Sequence, residues 1–241
     1  MISVSIVSHG HGSMLPALLL QLLEFPQITQ VIVTLNIPES VTLPSDARVQ
    51  LVHNQTPLGF GANHNQAFAI ATTPYFCVLN PDISFIANPF PNLLESFSIN
   101  DIGLVAPLVK NTNGGIEDSV RHFPTPIAIL ARRLFGFKDA YVYSEGDANF
   151  TAEWVGGMCM LFRSSAYAKI AGFDERYFMY VEDVDVCTRL WKAGLKVIVC
   201  PSAVVIHEAR RASRRSWAHL RWHITSLLRY FSRYLGRLPP V

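Results

Sequence analysis

The first eighty residues alternate short runs of β-branched residues with helix-compatible segments. Strands are predicted at residues 4–8, 30–35, 49–53 and 75–79, and helices at residues 15–23 and 61–71. Neighbouring parallel strands need a crossover connection, so strands that alternate with helices at short spacing indicate a mostly parallel sheet with helices packed on it. The sequence therefore predicts an α/β fold with a mostly parallel central sheet flanked by helices.

A polar residue follows each of these four strands. Ser8, Asn36 and Asn54 come directly after the first three, and Asn80-Pro81-Asp82 follows the fourth. In open α/β sheets, ligands bind beyond the carboxyl ends of the strands, so these side chains are candidates for a binding site. Turn chemistry, which favours Asn, Ser and Asp at the ends of strands, is the alternative explanation.

A segment with two glycines precedes the second helix and reads Gly59-Phe60-Gly61-Ala62-Asn63-His64-Asn65. Glycine backbone and the free N–H groups of a helix N-terminus allow an anion to approach closely. The spacing matches neither the dinucleotide fingerprint nor a P-loop. Helix capping by Asn63 and Asn65 is the alternative.

Three carboxylates, Glu182, Asp183 and Asp185, open a helix predicted at residues 181–193, with Gly194 as its C-cap. Acidic residues are favoured at a helix N-terminus by the macrodipole, and Asp185 is placed to form a solvated pair with Arg189. The apolar residues 178–181 just upstream predict a raised pKa for these carboxyls, which suits a general base.

The remaining secondary structure is predicted less regularly. Residues 83–150 are expected to be partly irregular or mobile. A strand at residues 158–162 and a helix at residues 165–171 follow, and two strands are predicted at 196–200 and 203–207. His207 ends the second of these, where a histidine can be either a ligand or a hydrogen-bonded rim residue.

Composition bounds the class of protein. The chain has 241 residues, of which half are hydrophobic and 16% are charged, so a large folded core is expected and disorder is excluded for most of it. It starts directly on a strand, which predicts no signal peptide, and no run reaches the roughly 18 apolar residues of a spanning helix. Its four cysteines lack metal or redox spacing, which favours buried thiols in a reducing compartment over disulfides.

The C-terminal segment is strongly basic. Residues 207–241 contain one acid, Glu208, and eight arginines: Arg210, Arg211, Arg214, Arg215, Arg221, Arg229, Arg233 and Arg237. Apolar residues recur there at helical spacing: Trp217, Leu220, Ile224, Leu227, Leu228 and Phe231. We therefore expect a catalytic domain at residues 1–208 and a basic amphipathic helical tail at residues 209–241. The tail either lies on an anionic membrane surface or packs on its own domain or on a second subunit.

These segments occur in an order and spacing that resemble the family 2 glycosyltransferases with a GT-A fold, in particular their rhamnosyltransferase-like branch. The resemblance spans residues 1–210. Besides the features above, it rests on Trp154-Val155-Gly156-Gly157, Gly172-Phe173-Asp174-Glu175, Phe178 and Pro201. A nucleic-acid partner would account for the arginines but not for this ordered set.

The resemblance implies a role for each motif. Asp183 would be the catalytic base, and Asp82 with His207 would bind a divalent cation, Mg²⁺ or Mn²⁺. Asn80 stands at the first position of the family's Asp-X-Asp motif, which departs from the pattern. The donor nucleotide would be held by Ser8, Asn36, Asn54, Gly59, Gly61, Asn63, Asn65 and Asn80. The acceptor would contact Trp154, Gly156, Gly157 and Glu182.

The implied activity is inverting transfer of a sugar, such as rhamnose from dTDP-rhamnose, to a saccharide or lipid-linked glycan in cell-surface polysaccharide synthesis. A cytoplasmic enzyme, peripheral at the inner face of the plasma membrane, is expected, and an oligomer is compatible with the sequence. The alternatives are another sugar donor or a degenerate, non-catalytic protein that binds sugar nucleotides. Sugar nucleotidyl transfer is disfavoured because residues 8–12 carry no Lys or Arg.

Overall fold

A computed structural model describes residues 1–136, 140–208 and 217–241. The strands are β1 (Ile2–Ser8), β2 (Ile28–Leu35), β3 (Val49–His53), β4 (Tyr75–Leu79), β5 (Ile83–Ser84), β6 (Ile102–Asn111), β7 (Val120–Arg121), β8 (Phe150–Thr151), β9 (Trp154–Val155), β10 (Cys159–Arg163) and β11 (Lys196–His207). The helices are α1 (Leu15–Glu24), α2 (Phe60–Phe68), α3 (Phe90–Glu95), α4 (Pro126–Phe135), α5 (Ser164–Lys169), α6 (Glu182–Lys192) and α7 (Trp217–Tyr234).

The central sheet runs in the order β3-β2-β1-β4-β10-β6-β11-β5, with β8 paired to β11. Its first four strands are parallel. The ends of β1, β2 and β3 are level, since Ser8 lies beside Leu35 and Leu35 beside His53, and β4 ends with Leu79 beside Ile6. The residues that follow these strands therefore meet at one edge. The predicted α/β fold with a mostly parallel sheet is confirmed.

Helices cover both faces of the sheet. On one face α1 buries a stripe formed by Leu15, Leu18, Leu19 and Leu22, spaced at three- and four-residue intervals as a core-facing helix requires. The other face carries a second apolar cluster, to which α5, α6 and α7 contribute Tyr167, Leu190 and Tyr230. The four cysteines are free and buried, as the sequence predicted.

In the second half, one prediction was incomplete and another was wrong. Residues 83–150 contain irregular stretches, as predicted, but they also contain β6, whose residues 102–109 are buried between β10 and β11. Gly103 and Pro107 lower its strand propensity, but tertiary pairing overrides them. The two strands expected near the end are one strand, β11, with a register shift between Cys200 and Val204 where Pro201 interrupts the ladder.

Helix α4 is unusual because none of its side chains is buried. Its ends are nevertheless closed: the Thr125 side chain accepts a hydrogen bond from the N–H of Ala128 at 3.1 Å, and Gly136 ends it in a left-handed conformation. Ile127, Leu130, Leu134 and Phe135 are all exposed. Local capping, rather than a buried face, therefore supports this helix.

The predicted C-terminal helix is present as α7, and one face of it packs on the rest of the protein. This face carries the buried Ser226, Tyr230 and Tyr234 and the partly buried Leu227 and Phe231, whereas Trp217, Leu220, Ile224 and Leu228 remain exposed at 86%, 49%, 49% and 65%. Arg210, Arg211, Arg214, Arg215 and the expected domain boundary after residue 208 lie outside the described residues, so that boundary stays a prediction. Among the helices described, none is both long and apolar enough to cross a bilayer.

Candidate active site

An asparagine network forms the edge where β1, β2 and β3 end. The Asn36 side-chain oxygen accepts hydrogen bonds from the N–H of Leu58 and from the Asn54 amide, both at 2.8 Å. The Asn54 amide also donates to the Asn63 oxygen at 2.6 Å, and the main-chain N–H of Asn36 donates to the carbonyl of Ser8 at 2.9 Å. The structure thus brings together four residues that the sequence predicted for the donor.

The side chains of this network differ in how exposed they are to solvent. Ser8 and Asn63 are fully buried. Ser8 Oγ accepts from the N–H of His11 at 3.1 Å, and the Asn63 amide donates to the carbonyl of Gly59 at 2.9 Å. Asn54 is only half-buried and is the more accessible member. The buried residues therefore hold the loop, while Asn54 lies nearer the open edge.

The two glycines and Asn65 are engaged with residues 172–178. A Cβ atom on Gly59 would lie 2.7 Å from the Phe178 carbonyl oxygen, and one on Gly61 would lie 2.5 Å from Phe173 Cβ. The Asn65 oxygen accepts from the N–H of Phe173 at 2.9 Å, and its amide donates to the Phe173 carbonyl. Close packing thus accounts for these three residues without a ligand.

A chain of three ionisable side chains links the end of β4 to the end of β11. His207 Nε2 lies 3.2 Å from an oxygen of Asp82, and His207 Nδ1 lies 2.7 Å from an oxygen of Glu117. Burial opposes the charged form of His207, but the hydrogen bonds to Asp82 and Glu117 outweigh it and raise its pKa to about 9. Burial alone would raise the pKa of Asp82, but the hydrogen bond from His207 and the charges of His207 and His11 together outweigh it, so that the pKa is lowered.

These residues suit a cation that also binds a ligand. Asp82 Oδ1 is buried without a hydrogen-bond partner, and a carboxylate partner on the far nitrogen of a metal-binding histidine is a common outer-shell arrangement. Within the ranges the structure covers, no group of three or more His, Cys, Asp or Glu side chains forms a metal cage. Mg²⁺ sites on substrate phosphates often use only one or two protein carboxylates, so Asp82 and His207 fit such a site.

Asp183 lies in the first turn of α6 and is held by main-chain donors. The N–H of Val184 donates to Asp183 Oδ1 at 2.9 Å, and the N–H of Gly157 approaches Oδ2 at 3.3 Å. The carbonyl of Met158, the next residue after Gly157, accepts from the N–H of Asn80 at 2.9 Å. One short segment thus joins the predicted base to the turn that carries Asp82.

Burial raises the pKa of Asp183, as the apolar approach predicted. Burial, together with the charge of Asp183, raises the pKa of Glu182 well above its ordinary value. Glu182 Oε2 is buried and has no hydrogen-bond partner. Both adjacent carboxyls therefore favour the protonated form more than exposed carboxyls do.

The backbone before this pair is strained. Tyr180 and Val181 have φ angles of 71° and 69°, in the left-handed region that bulky and β-branched residues avoid. Helix α7 contacts the same segment, because Tyr180 Oη bonds His219 Nδ1 at 2.7 Å and Ser226 Oγ donates to the Met179 carbonyl at 3.0 Å. Strained residues of this kind concentrate at functional sites and persist where the surroundings fix them.

Of the predicted acceptor residues, Trp154 lies on β9, which forms a separate two-stranded sheet with β7; Gly156 and Gly157 follow β9, and Glu182 begins α6. The Trp154 indole donates to the carbonyl of His122 at 2.8 Å, and the N–H of Gly156 donates to the carbonyl of Ser119 at 2.8 Å. Gly157 packs between Phe60 and Asp183, where a Cβ would lie 3.2 Å from the Phe60 ring. The structure therefore places the residues at positions 154–157 beside the predicted base.

Asp185 was predicted to form a solvent-exposed ion pair with Arg189. The pair forms, but the prediction that it is exposed was wrong. The two are paired at 2.6 Å, but the Asp185 side chain is completely buried. Its other oxygen accepts from Tyr234 Oη at 2.8 Å and lies 3.5 Å from Arg233 Nη1. The reason is α7, which covers this side of α6.

Three residues near the site were not predicted. Glu117, the partner of His207, lies in the segment expected to be irregular and is 90 residues from it in sequence. His11 lowers the pKa of Asp82 electrostatically, and Arg121 opposes the raised pKa of Asp183. No local motif marks these three, because their roles arise from tertiary contacts.

Sequence profiles of two related families match the chain: Glycosyl transferase family 2 over residues 3–169 and Glycosyl transferase family group 2 over residues 112–235. The chain is 30% identical to Rhamnosyltransferase WbbL of Escherichia coli, covering 97% of this chain and 93% of that protein. It is 32% identical to N-acetylglucosaminyl-diphospho-decaprenol L-rhamnosyltransferase of Mycobacterium tuberculosis, covering 73% of this chain and 64% of that protein.

Two solved structures share the fold. GalNAc-T7 with UDP, GalNAc and Mn²⁺ matches with a TM-score of 0.72 at 14% identity, over 96% of this chain and 47% of that one. The mannosyltransferase PcManGT from Pyrobaculum calidifontis, in complex with GDP-Man and Mn²⁺, matches with a TM-score of 0.67 at 15% identity, over 99% of this chain and 66% of that one. At these identities the likeness concerns the fold.

Proposed function

The chain belongs to glycosyl transferase family 2 and is a glycosyltransferase of the GT-A fold. We propose that it transfers the sugar with inversion of configuration at the anomeric carbon, with Asp183 as the base. One observation carries the proposal. Asp183 is held by the N–H groups of Gly157 and Val184, and Met158 links it to the Asn80–Asp82 turn. A proton acceptor next to a turn that can hold a diphosphate is what single-step sugar transfer needs.

The reaction is then a single in-line displacement. Asp183 takes the proton of the acceptor hydroxyl as the hydroxyl oxygen forms a bond to the anomeric carbon. On the opposite face of that carbon, the bond to the nucleoside diphosphate breaks. One displacement inverts the configuration. The raised pKa of Asp183 makes this carboxylate a better proton acceptor than an exposed one.

Asp82 and His207 are the residues that would hold a divalent cation, Mg²⁺ or Mn²⁺, whose charge stabilises the leaving diphosphate. The support is the unpartnered oxygen of Asp82 and the orientation of His207 by Glu117. Asn80 at the first motif position leaves one carboxylate fewer near this cation.

The donor and acceptor sides follow from the same geometry. We propose that Asn36, Asn54 and Asn80 contact the donor nucleotide, and that Ser8, Gly59, Gly61, Asn63 and Asn65 shape its loop from within. On the acceptor side, Glu182 Oε2 lacks a partner and suits a hydroxyl of the acceptor, beside Trp154, Gly156 and Gly157.

The proposed donor is dTDP-rhamnose, and the proposed acceptor is a lipid-linked glycan intermediate of cell-surface polysaccharide synthesis. The support is the similarity to two proteins named as rhamnosyltransferases, one of them acting on a diphospho-decaprenol compound. Residues 1–208 would form the catalytic unit and residues 209–241 its appendage.

We also propose that the enzyme works at the inner face of the plasma membrane, against its anionic surface. The support is the exposed row of Trp217, Leu220, Ile224 and Leu228 on a helix that also carries arginines, since such helices bind at the interface. Co-flotation with phosphatidylglycerol vesicles but not phosphatidylcholine vesicles is expected. Equal recovery of the protein in the unbound fraction with both would contradict this part.

The test of the proposed function is release of nucleoside diphosphate from a panel of nucleotide sugars, with dTDP-rhamnose first, in Mg²⁺ or Mn²⁺ and with lipid-linked acceptors. Asp183→Asn should lower turnover by at least about 10³-fold while nucleotide binding survives, because the general base is lost but the donor edge is intact. Asp101→Asn, in an exposed ion pair with Lys196, is the matched control. Turnover retained in Asp183→Asn would remove the base assignment, and no release from any donor would favour a non-catalytic binding protein.

A further inference from the structure

A cavity of about 300 Å³ lies between α7 and the segment at residues 176–178. Three arginines line it: Arg176, Arg221 and Arg229. The rings of Phe178 and Trp222, 4.9 Å apart, form an aromatic wall. An arginine-lined cavity of this size fits a phosphate-bearing group, because guanidinium groups match phosphate geometry with paired donors.

The positive charge of this cavity is largely uncompensated. Arg176 pairs with Asp174 at 2.6 Å, and Asp174 is shared with Arg233. Within residues 1–136, 140–208 and 217–241, neither Arg221 nor Arg229 pairs with a carboxylate. Arg229 is nevertheless held, since it donates to the carbonyl of Arg176 and lies over the Tyr177 ring at 5.6 Å. A guanidinium already fixed in position loses less entropy when an anion binds.

The cavity is connected to the catalytic base by direct contacts. The Phe178 carbonyl accepts from the N–H of Phe60 at 2.9 Å. The Phe60 ring packs on Gly157, whose N–H approaches Asp183. A ligand group in the cavity would therefore contact Phe178, which is linked to the proposed base through Phe60 and Gly157, and it would lie outside the reacting centre.

An apolar surface adjoins the cavity on α7. Leu220, Ile224 and Leu228 form an exposed row on the helix flank next to Arg221 and Thr225. A ligand with an anionic head and an apolar chain is complementary to this pair of surfaces, whereas a free anion would use only the first.

We propose that this cavity binds the diphosphate of the lipid-linked acceptor, with the lipid chain along the apolar row. The inference rests on the lipid-linked acceptor of the proposed function and assigns the residues that recognise it: Arg221 and Arg229 contact the phosphates, and Arg176 completes the rim.

The test is calorimetric binding of farnesyl diphosphate to the full chain in the presence of a chelator, which suppresses any cation-dependent binding of diphosphate at Asp82. Arg221→Gln and Arg229→Gln should each raise the Kd by about tenfold or more, since each removes a charged hydrogen bond to phosphate. Arg237→Gln makes the same change in charge at an exposed position outside the cavity and should bind as the wild type does. An unchanged Kd in both cavity variants, with wild-type melting temperatures, would overturn the proposal.

Two further probes identify the source of the phosphate. Inorganic pyrophosphate should bind at least about tenfold more weakly than farnesyl diphosphate, because it lacks the buried chain. Equal affinity would overturn the lipid part. Arginine-dependent binding to phosphatidylglycerol vesicles without binding of farnesyl diphosphate would instead indicate a membrane headgroup and overturn the acceptor assignment.

The binding assay needs neither donor nor turnover, so its failure leaves the proposed function standing. Conversely, an enzyme that binds farnesyl diphosphate through Arg221 but releases nucleoside diphosphate from no donor would contradict the function alone.

Discussion

The proposed donor edge and the proposed catalytic edge of this protein are built from different kinds of polar group. At the ends of β1, β2 and β3, uncharged amides of Asn36, Asn54 and Asn63 bond to one another and to the main chain. At the start of α6, carboxyls are buried instead, and the backbone that presents them lies at positive φ. Neutral amides need only hydrogen bonds to be buried, whereas a buried charge needs a paired charge as well.

The support of the two edges differs accordingly. The amide network is satisfied within residues 8–63. The carboxylates of α6 depend on Gly157 from the β9–β10 connection and on Tyr234 from α7, both far outside residues 8–63. We therefore expect changes at the donor edge to affect nucleotide binding with a smaller loss of stability, and changes around α6 to cost more stability.

The largest effect on stability is expected from Asp185→Asn. The substitution removes the only carboxylate paired with Arg189 among the described residues and leaves this arginine with main-chain carbonyl partners, and breaking a buried ion pair in this way costs about 3 to 5 kcal/mol. Denaturant unfolding measures it. Asp101→Asn, in an exposed pair, should cost less than about 1 kcal/mol. Similar losses of unfolding free energy in both variants would mean that the buried Asp185 pair contributes no more to stability than an exposed pair.

A smaller effect is expected from Asn54→Ala. It removes the amide that joins Asn36 to Asn63, at a cost of about 1 to 3 kcal/mol in the free energy of unfolding. The KM for the donor should rise while kcat changes little, because the base is untouched. Asn113→Ala, in an exposed turn, is the control. A fall in kcat with an unchanged KM would break the division between the two edges.

The smallest effect is expected from Glu182→Gln, and it depends on pH. A carboxyl whose pKa is raised on folding holds more protons in the folded state, so the free energy of unfolding falls as pH rises above its ordinary pKa of 4.5. The glutamine variant lacks this penalty. Its melting temperature should exceed that of the wild type at pH 8 and match it at pH 4.

Exposed Glu95→Gln is the comparison for this pH dependence. A stability gain in Glu182→Gln that is as large at pH 4 as at pH 8 would show that the carboxyl is not the cause.

Much of the donor edge was predictable because it is encoded locally. Strands β1 to β4 have continuous β-branched or aromatic runs, and each ends at a turn-forming residue, so both the sheet and the set of polar side chains follow from sequence. The register of a parallel sheet then brings Ser8, Asn36 and Asn54 to one edge without further information.

The catalytic edge was predicted only in part. The acidic start of α6 and His207 can be recognised in the sequence, but β6 was not predicted. Gly103 and Pro107 lower the strand propensity of this segment, which is stabilised by pairing with β10 and β11. Glu117 follows β6 and was missed with it. The packed side of α7 was found only in part: apolar periodicity marks Leu227 and Phe231, but not the hydroxyl groups of Ser226, Tyr230 and Tyr234 that bond to the rest of the protein.

The left-handed pair Tyr180 and Val181 has a consequence for how this enzyme can change. Glycine would adopt these φ angles without strain, but it would also remove the buried Val181 side chain and the hydrogen bond between Tyr180 and His219. Relief of backbone strain and loss of side-chain contacts therefore act in opposite directions at these two positions. Helix α7 contacts this segment through hydrogen bonds to Tyr180 and Met179. Substitutions in the C-terminal helix are therefore a second way in which the backbone before Asp183 can change during evolution.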